Sequence, residues 1–307
     1  MTTKYVLTAI NMPDCCATAA FAKIVYNMEI ILVESKYKFH LGDDIVKAMA
    51  LNGIVFPESR GAKVLYIIGS FWKNDIDILL TMFDKIYMYS FGEPVINDKI
   101  TVFSDEKKLG SIIWLRSLLP QSLLIDGYVT SKQHIISKAN VRCFGQGPDE
   151  VQQLFTGIYD YSATNKVNVF DTFIKLFLDD IEFYDTLMDR GGMLLTNHRG
   201  LAEERARINT KIITAKCGAK VAITEGPELT NFTHEGLIKV NTDADLTAVF
   251  SYNLDKNGPK DEMRVSIRSY SSKFDASKIL ENIKGSGGSD TAAGCRIPYS
   301  LDFSLVL

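Results

Sequence analysis

The sequence lacks several features that would assign it to a class at once. No apolar run is long enough to span a membrane. No C-x-x-C pair is present, which argues against a zinc site, and no G-x-S-x-G elbow for a nucleophilic serine is present. The five cysteines are scattered apart from one adjacent pair: Cys15, Cys16, Cys143, Cys217 and Cys295.

The chain has few histidines, and its net charge is small. Metal-binding histidines come in clusters with supporting carboxylates, and none of the four here pairs with another at ligand spacing. Each is therefore interpreted as an exposed or hydrogen-bonded side chain: His40, His134, His198 and His234. The net charge of −3 argues against an extended surface for duplex nucleic acid and leaves room for a local basic pocket.

The expected location follows from the same absences. Asn11, Pro13 and Asp14 interrupt the first apolar stretch too early for a signal peptide. An odd number of cysteines without such a peptide fits reduced thiols. We therefore expect a cytoplasmic protein without a membrane partner, in the host cytoplasm if the sequence is viral.

The first part of the chain alternates apolar strands with amphipathic helices. This pattern predicts an α/β fold with a mostly parallel sheet and helices on both faces. Ligands of such sheets bind at the carboxyl ends of the strands. The predicted strands are 5–10, 30–34, 64–68, 85–89 and 100–103, and the predicted helices are 15–26, 43–51, 75–82 and 109–118.

The remaining chain divides into a helical connector and a smaller mixed α/β domain. Apolar residues at helical spacing recur through the connector. Strands are predicted at 211–215, 220–224 and 248–253, and Asn257-Gly258 is a strong hairpin signal. The predicted domains are residues 1–123, 124–208 and 209–307.

A strand, a short helix and a glycine-rich loop follow one another near the C-terminus. Val265 and Ile267 alternate with polar residues, and Asp275 suits a helix N-cap. The loop, residues 285–294, is predicted to expose backbone N–H groups to an anion. Arg268 offers the planar fork that suits phosphate.

This C-terminal pattern resembles the DHHA1 substrate-binding domain of the DHH phosphoesterase family. The family motif is a strand like S-x-R-S, a helix, and a loop like G-G-G-H-x-x-A-A-G. Residues 265–269 and 287–294 are similar to it, except that Ser289 stands where the family carries a phosphate-contacting histidine. The resemblance implies a phosphate site formed by Arg268, Ser269, Gly287, Gly288, Ser289 and Thr291.

The N-terminal half resembles the family's DHH domain more weakly. Pro13 and Asp14 match its Pro-Asp signature, followed by the alanine pair Ala19-Ala20. The position of the family's Asp-His-His reads Tyr89-Ser90-Phe91, and a second metal-binding aspartate is replaced at Gly69-Ser70. The resemblance therefore implies that Asp14 is a vestigial catalytic residue, and no metal site is expected.

The resemblance implies a catalytically inactive homologue that binds a nucleotide or another phosphate-bearing ligand in a cleft between the domains. One alternative is an active phosphodiesterase that cleaves short oligonucleotides or cyclic dinucleotides with Mn²⁺ or Mg²⁺. A second is an assembly protein with a closed pocket, which binds another copy of the chain or a protein partner. The enzyme alternative requires further carboxylates gathered in space, from among Asp43, Asp44, Asp84, Asp105, Asp126 and Asp160.

Three local alternatives stay open. Asp14 could instead cap the helix that follows it. Cys15 and Cys16, at a helix start, could have enhanced thiolate character, although small buried residues are the favoured interpretation. The aromatic side chains expected at the carboxyl edge could stack a base or fill the space of the lost metals: Trp72, Tyr89 and Phe91.

Overall fold

The computed structural model describes residues 2–9, 12–33, 62–68, 76–90, 98–104, 110–142, 147–179, 181–226, 230–255 and 258–298. The chain divides into two compact units, Met1–Leu194 and Leu195–Leu307. The first holds a parallel sheet and many helices, and the second holds a smaller mixed sheet. The predicted fold class is therefore confirmed.

The first unit begins with a five-stranded sheet in the order β2-β1-β3-β4-β5, in which every neighbouring pair is parallel. The predicted helix at 43–51 lies outside the described residues. The described elements are β1 (Thr3–Ala9), α1 (Pro13–Tyr26), β2 (Glu29–Val33), β3 (Lys63–Ile68), α2 (Ile76–Met82), β4 (Lys85–Ser90) and β5 (Ile100–Ser104).

Helices cover both faces of this sheet because successive strand residues point to opposite sides. On one face, Val6 and Tyr66 pack against α1 and against Trp114, which lies in the first helix after β5. On the other face, Leu7 packs with Leu79 of α2. This two-sided burial explains the nearly continuous apolar strands.

The predicted helical region is confirmed. A third hydrophobic cluster, besides those on the two faces of the sheet, packs the helices of this region against α1. Phe21, Phe173 and Phe177 are fully buried in it. The helices are α3 (Ser111–Leu118), α4 (Leu123–Ser131), α5 (Gln133–Arg142), α6 (Asp149–Asn165), α7 (Val169–Leu178) and α8 (Ile181–Asn209). The two compact units meet in sequence within α8, whereas the predicted domain boundaries at 123/124 and 208/209 stay predictions.

Helices α6 and α8 approach each other at two glycines. A Cβ added at Gly157 would lie 2.0 Å from the main-chain oxygen of Leu187. A Cβ added at Gly191 would lie 1.8 Å from the main-chain oxygen of Gln153. Both Gly191 and its neighbour Gly192 lie inside α8.

The second unit is a six-stranded sheet in the order β10-β11-β9-β8-β7-β6. Its β7–β8 pair is parallel and its other pairs are antiparallel. Strands β8 and β9 form the hairpin that the signal predicts, but Gly258 pairs with Asp255 and belongs to β9 rather than to the turn. Its elements are β6 (Lys211–Thr214), β7 (Lys220–Glu225), α9 (Thr230–Val240), β8 (Leu246–Asp255), β9 (Gly258–Ser269), α10 (Ala276–Ile279), β10 (Gly287–Gly288) and β11 (Ala292–Pro298).

The expectation that residues 285–294 form an open loop is wrong in part. Gly287 and Gly288 pair with Gly294 and Ala293 as a short hairpin, because the backbone groups of this segment continue the sheet. Within the described residues, no helix is long and apolar enough to cross a membrane.

Candidate functional site

Strand β9 places Arg268 on one face of the second sheet. Val265 and Ile267 are buried on the opposite face, in the core that includes α10. Alternation along the strand therefore turns Ser266 and Arg268 toward the face that α9 covers. Arg268 is only partly buried.

Asn231 at the start of α9 holds the guanidinium of Arg268. The Nη2 atom of Arg268 donates a hydrogen bond to the Asn231 side-chain oxygen. Tyr270 lies beside them: partial burial raises the pKa of its hydroxyl, and the charge of Arg268 and a hydrogen bond from Thr247 oppose that shift. The arginine is thus oriented by neutral partners, which leaves its positive charge uncompensated by them.

His234 lies beneath this group, fully buried on α9. Its Nδ1 shares a hydrogen bond with Thr247 Oγ1, and its Nε2 lies 3.1 Å from Ser266 Oγ. Burial, and then the charge of Arg268, lowers the pKa of His234 to about 3, so the ring is neutral at neutral pH. His234 ties α9 to β8 and β9, in agreement with its interpretation as a hydrogen-bonded side chain.

The glycine segment forms a tight turn between β10 and β11. Ser289 N–H donates to Ala292 O at 2.7 Å, and Ala292 N–H donates back to Ser289 Oγ at 3.3 Å. Gly288 has φ of 150°, and a Cβ there would lie 2.2 Å from Ala292 O, so this position requires glycine. The hydroxyls of Ser289 and Thr291 lie 3.2 Å apart and are exposed.

The backbone brings this turn to the end of β9 that carries Arg268. Ala292 pairs with Arg268 in the sheet, and Ser269 N–H donates to Thr291 O at 2.9 Å. The side chains of Ser269 and Arg268 are directed to partners within the protein rather than toward the turn. The Ser269 hydroxyl donates to Phe274 O at 2.6 Å, and the Arg268 guanidinium is directed to Asn231. Among the predicted site residues that carry a side chain, Ser289 and Thr291 are exposed and Arg268 is partly buried.

Asp14 lies in the first turn of α1. The helix begins at Pro13 with Met12 as its N-cap, so the alternative that Asp14 caps it is wrong. Asp14 Oδ2 accepts from Cys15 Sγ at 3.6 Å. In the part of the chain that the structure describes, no group of three or more histidine, cysteine, aspartate or glutamate residues is placed to hold a metal ion.

The carboxylates that the enzyme alternative requires are dispersed where they are described. Asp43, Asp44 and Asp105 lie outside the described residues. The other three have separate partners: Asp84 accepts from Lys63 N at 2.7 Å, Asp126 pairs with Arg116 at 3.1 Å, and Asp160 pairs with Arg190.

Tyr89 is part of a buried aromatic cluster. Its ring stacks on Phe103 with centroids 6.1 Å apart and lies 5.5 Å from Trp114. Only 2% of Tyr89 is exposed, so its ring cannot stack on a base without unpacking this core. Trp72 and Phe91 lie outside the described residues.

The cysteine pair is buried as well. Burial, helped by Asp14 and Asp171, raises the pKa of Cys16 to about 12. The alternative of enhanced thiolate character is therefore wrong for Cys16, and the interpretation as a small packing residue holds.

The chain combines a parallel α/β unit with a mixed sheet. In the mixed sheet, Arg268 and the glycine turn lie at the same end. Among solved structures, the chain is similar to the DHH domain of a member of the s1p family of ribosomal proteins. The TM-score is 0.59 at 12% identity, over 95% of this chain and 82% of that one. The chain therefore shares the fold of a DHH-domain protein.

Two further solved structures match with lower TM-scores. An uncharacterized protein from Helicobacter pylori has a TM-score of 0.42 at 12% identity, over 97% of this chain and 94% of that one. CDC45 from Entamoeba histolytica has a TM-score of 0.41 at 10% identity, over 97% of this chain and 92% of that one. Neither score adds to the assignment of the fold. No protein-family model matches the chain, and no curated protein sequence matches it.

Proposed function

We propose that this protein is a DHH-type pseudoenzyme that binds a nucleotide or another phosphate-bearing ligand through its second unit. The observation that supports the proposal most is the placement of Arg268. Neutral partners orient its guanidinium, and a glycine turn with two exposed hydroxyls follows in register at the same end of the sheet. Bidentate arginine contacts and such turns are recurrent means of holding phosphate.

The buried position of Tyr89 in the first unit supports the proposal that the protein does not cleave phosphodiesters. Tyr89 occupies the position where the resemblance expects metal-binding residues, and its ring is part of the hydrophobic core. Phosphodiester cleavage by this family's chemistry needs two closely spaced metal ions. Among the described residues at positions where the resemblance expects metal ligands, Asp14 would give such ions one carboxylate, and it accepts a hydrogen bond from Cys15.

The proposal predicts that the purified protein carries no stoichiometric Mn²⁺ or Mg²⁺. Elemental analysis after purification in Mn²⁺ measures this directly. Incubation with dinucleotides, cyclic dinucleotides and short oligonucleotides should give no turnover above buffer, since unaided phosphodiester hydrolysis is extremely slow.

The opposite result would establish the active phosphodiesterase. Its signature is bound metal together with turnover that Asp14→Ala abolishes. Asp77→Ala is a matched control, because Asp77 is an exposed acid in the first turn of another helix of the same unit.

Arg268→Ala should weaken nucleotide binding by about 10- to 100-fold, because a charge-assisted pair contributes about 1.5–3 kcal/mol. Arg268→Lys should restore part of this affinity, since an ammonium group lacks the fork. Isothermal titration with mono- and dinucleotides gives the affinities, and thermal unfolding of each variant should change little.

Arg264→Ala is the control for this measurement. It removes the same charge from the same face of β9, four residues away, at an exposed site. If the parent protein binds no nucleotide at millimolar concentration, the binding proposal fails and the assembly protein becomes the better explanation.

A further inference from the structure

A basic cavity lies beside α10 in the second unit. Its volume is about 820 Å³, within the range of small-molecule sites. Apolar side chains of Phe274, Ile279 and Ile283 contribute to its wall. The charged residues among the described residues that line it are five cations and one carboxylate: Lys216, Lys273, Lys278, Lys284, Arg296 and Asp275.

The part of this cavity beside α10 lies on the opposite face of the sheet from Arg268, whereas Arg296 pairs with Arg264 and so belongs to the face of Arg268. Its apolar residues Phe274, Ile279 and Ile283 pack against the core cluster that includes Ile267. Arg268, the next residue after Ile267, points to the face that α9 covers, where it contacts Asn231. The lining residues beside α10 and Arg268 therefore lie on opposite faces of the sheet.

The single carboxylate among these lining residues is already engaged. Asp275 Oδ1 accepts hydrogen bonds from Ser277 N at 2.9 Å, Ser277 Oγ at 2.6 Å and Lys278 N at 3.2 Å. These bonds, with the Ser277 hydroxyl contributing most, lower the pKa of Asp275 and fix it as the N-cap of α10. The carboxylate is thus held to the helix start.

The lining is rich in lysine although the chain as a whole has a net charge of −3. Like charges around one cavity repel each other, and an anion of high charge density would relieve that repulsion. Four of the five cations are lysines, whose compact ammonium groups suit phosphate oxygens as point charges. A single-stranded nucleic acid would need a row of aromatic rings for stacking, and Phe274 is the one aromatic among the described residues of this lining.

We propose that this cavity binds an oligophosphate anion, a chain of two or more phosphates, at a site separate from Arg268. The phosphate chain contacts the lysines, and the apolar wall leaves room for a nucleoside attached to it. A nucleoside triphosphate and inorganic polyphosphate share this chemistry.

The test is isothermal titration of the full chain with sodium triphosphate and, separately, with ATP. The double variant Lys278→Ala/Lys284→Ala removes two exposed cations beside α10 and should weaken both affinities by about 10- to 100-fold. Lys239→Ala removes an exposed lysine of the same unit outside the cavity and should leave both unchanged. Thermal unfolding of each variant checks that the unit stays folded.

Comparison of the two ligands identifies the source of the phosphate chain. Tighter binding of ATP than of triphosphate means that the apolar wall accepts the nucleoside, and equal binding means that the phosphates alone are recognised. Either result supports the site if the lysine variants weaken it.

Arg268→Ala separates this inference from the proposed function. It should leave triphosphate binding at the cavity intact. If Arg268→Ala abolishes binding while Lys278→Ala/Lys284→Ala retains it, the cavity is not the site and this inference fails, although the proposed function stands. Failure of both ligands to bind at millimolar concentration, or an equal loss in Lys239→Ala, also overturns it.

Discussion

Gly191→Ala is expected to lower the free energy of unfolding by about 3 kcal/mol, the upper range for an overpacked core contact. The added Cβ would lie 1.8 Å from Gln153 O and 2.9 Å from Gly157 N. Both are main-chain atoms of α6, so no side chain can rotate away to make room. The helices must separate, which exposes buried side chains such as Leu187.

Gly192→Ala is a matched control one residue away in the same helix. A Cβ there would meet the Gln153 side chain at 3.7 Å, an ordinary contact. Replacing a glycine in a helix interior should stabilise the protein by about 0.5–1 kcal/mol. Urea unfolding followed by circular dichroism measures both variants. Equal stability of Gly191→Ala and the parent would show that α6 and α8 do not pack at this distance.

Acidification from about pH 7.5 to about pH 5 is expected to remove about 2 kcal/mol of stability through His234. Burial and the charge of Arg268 lower its pKa from 6.5 to about 3 in the folded protein. Below pH 6.5 the unfolded chain binds a proton that the folded chain does not bind until about pH 3. Above pH 6.5, His234 therefore does not lower the free energy of unfolding. As the pH falls from 6.5 toward about 3, the free energy of unfolding decreases progressively.

His234→Gln isolates this contribution. Glutamine does not titrate and can still bond to Thr247 or Ser266, so the variant should show a flatter dependence of stability on pH. The quantity to compare is the difference between parent and variant across the pH range, because other groups titrate in both. If the stability of parent and variant changed in parallel with pH, the pKa of His234 would not be lowered in the folded protein.

The first sheet could be predicted closely from the sequence. The apolar run at 85–89 becomes Lys85–Ser90, and the run at 64–68 becomes Lys63–Ile68. Burial on both faces demands such runs, and the alternation with helices demands parallel pairing. The order β2-β1-β3-β4-β5 then brings the expected carboxyl ends to one edge.

The partner of Arg268 could not be predicted in the same way, because α9 was not expected as a helix. Its sequence contains threonine, asparagine, glycine and valine, which are weak helix formers. Packing decides its structure: a Cβ at Gly236 would lie 2.7 Å from Ala202 of α8, and Leu237 is fully buried. The spacing of Thr233, His234 and Leu237 was the signal available for this helix.

The glycine turn was recognised by its motif, but its strand pairing was not. A pattern of glycines predicts backbone freedom, whereas the register Gly288 to Ala293 depends on β11 joining β9. Likewise, the alternation on β9 fixes the face of Arg268 but does not specify that Asn231 holds it.

The buried aromatic cluster of the first unit has an optical consequence. The sequence has two tryptophans, Trp72 and Trp114, and both fall within Met1–Leu194. Trp114 is 2% exposed and lies among tyrosine and phenylalanine rings, so its emission should shift to longer wavelength when this core meets water. Tryptophan emission therefore reports unfolding of the unit that contains Gly191, and is silent for the unit that contains His234.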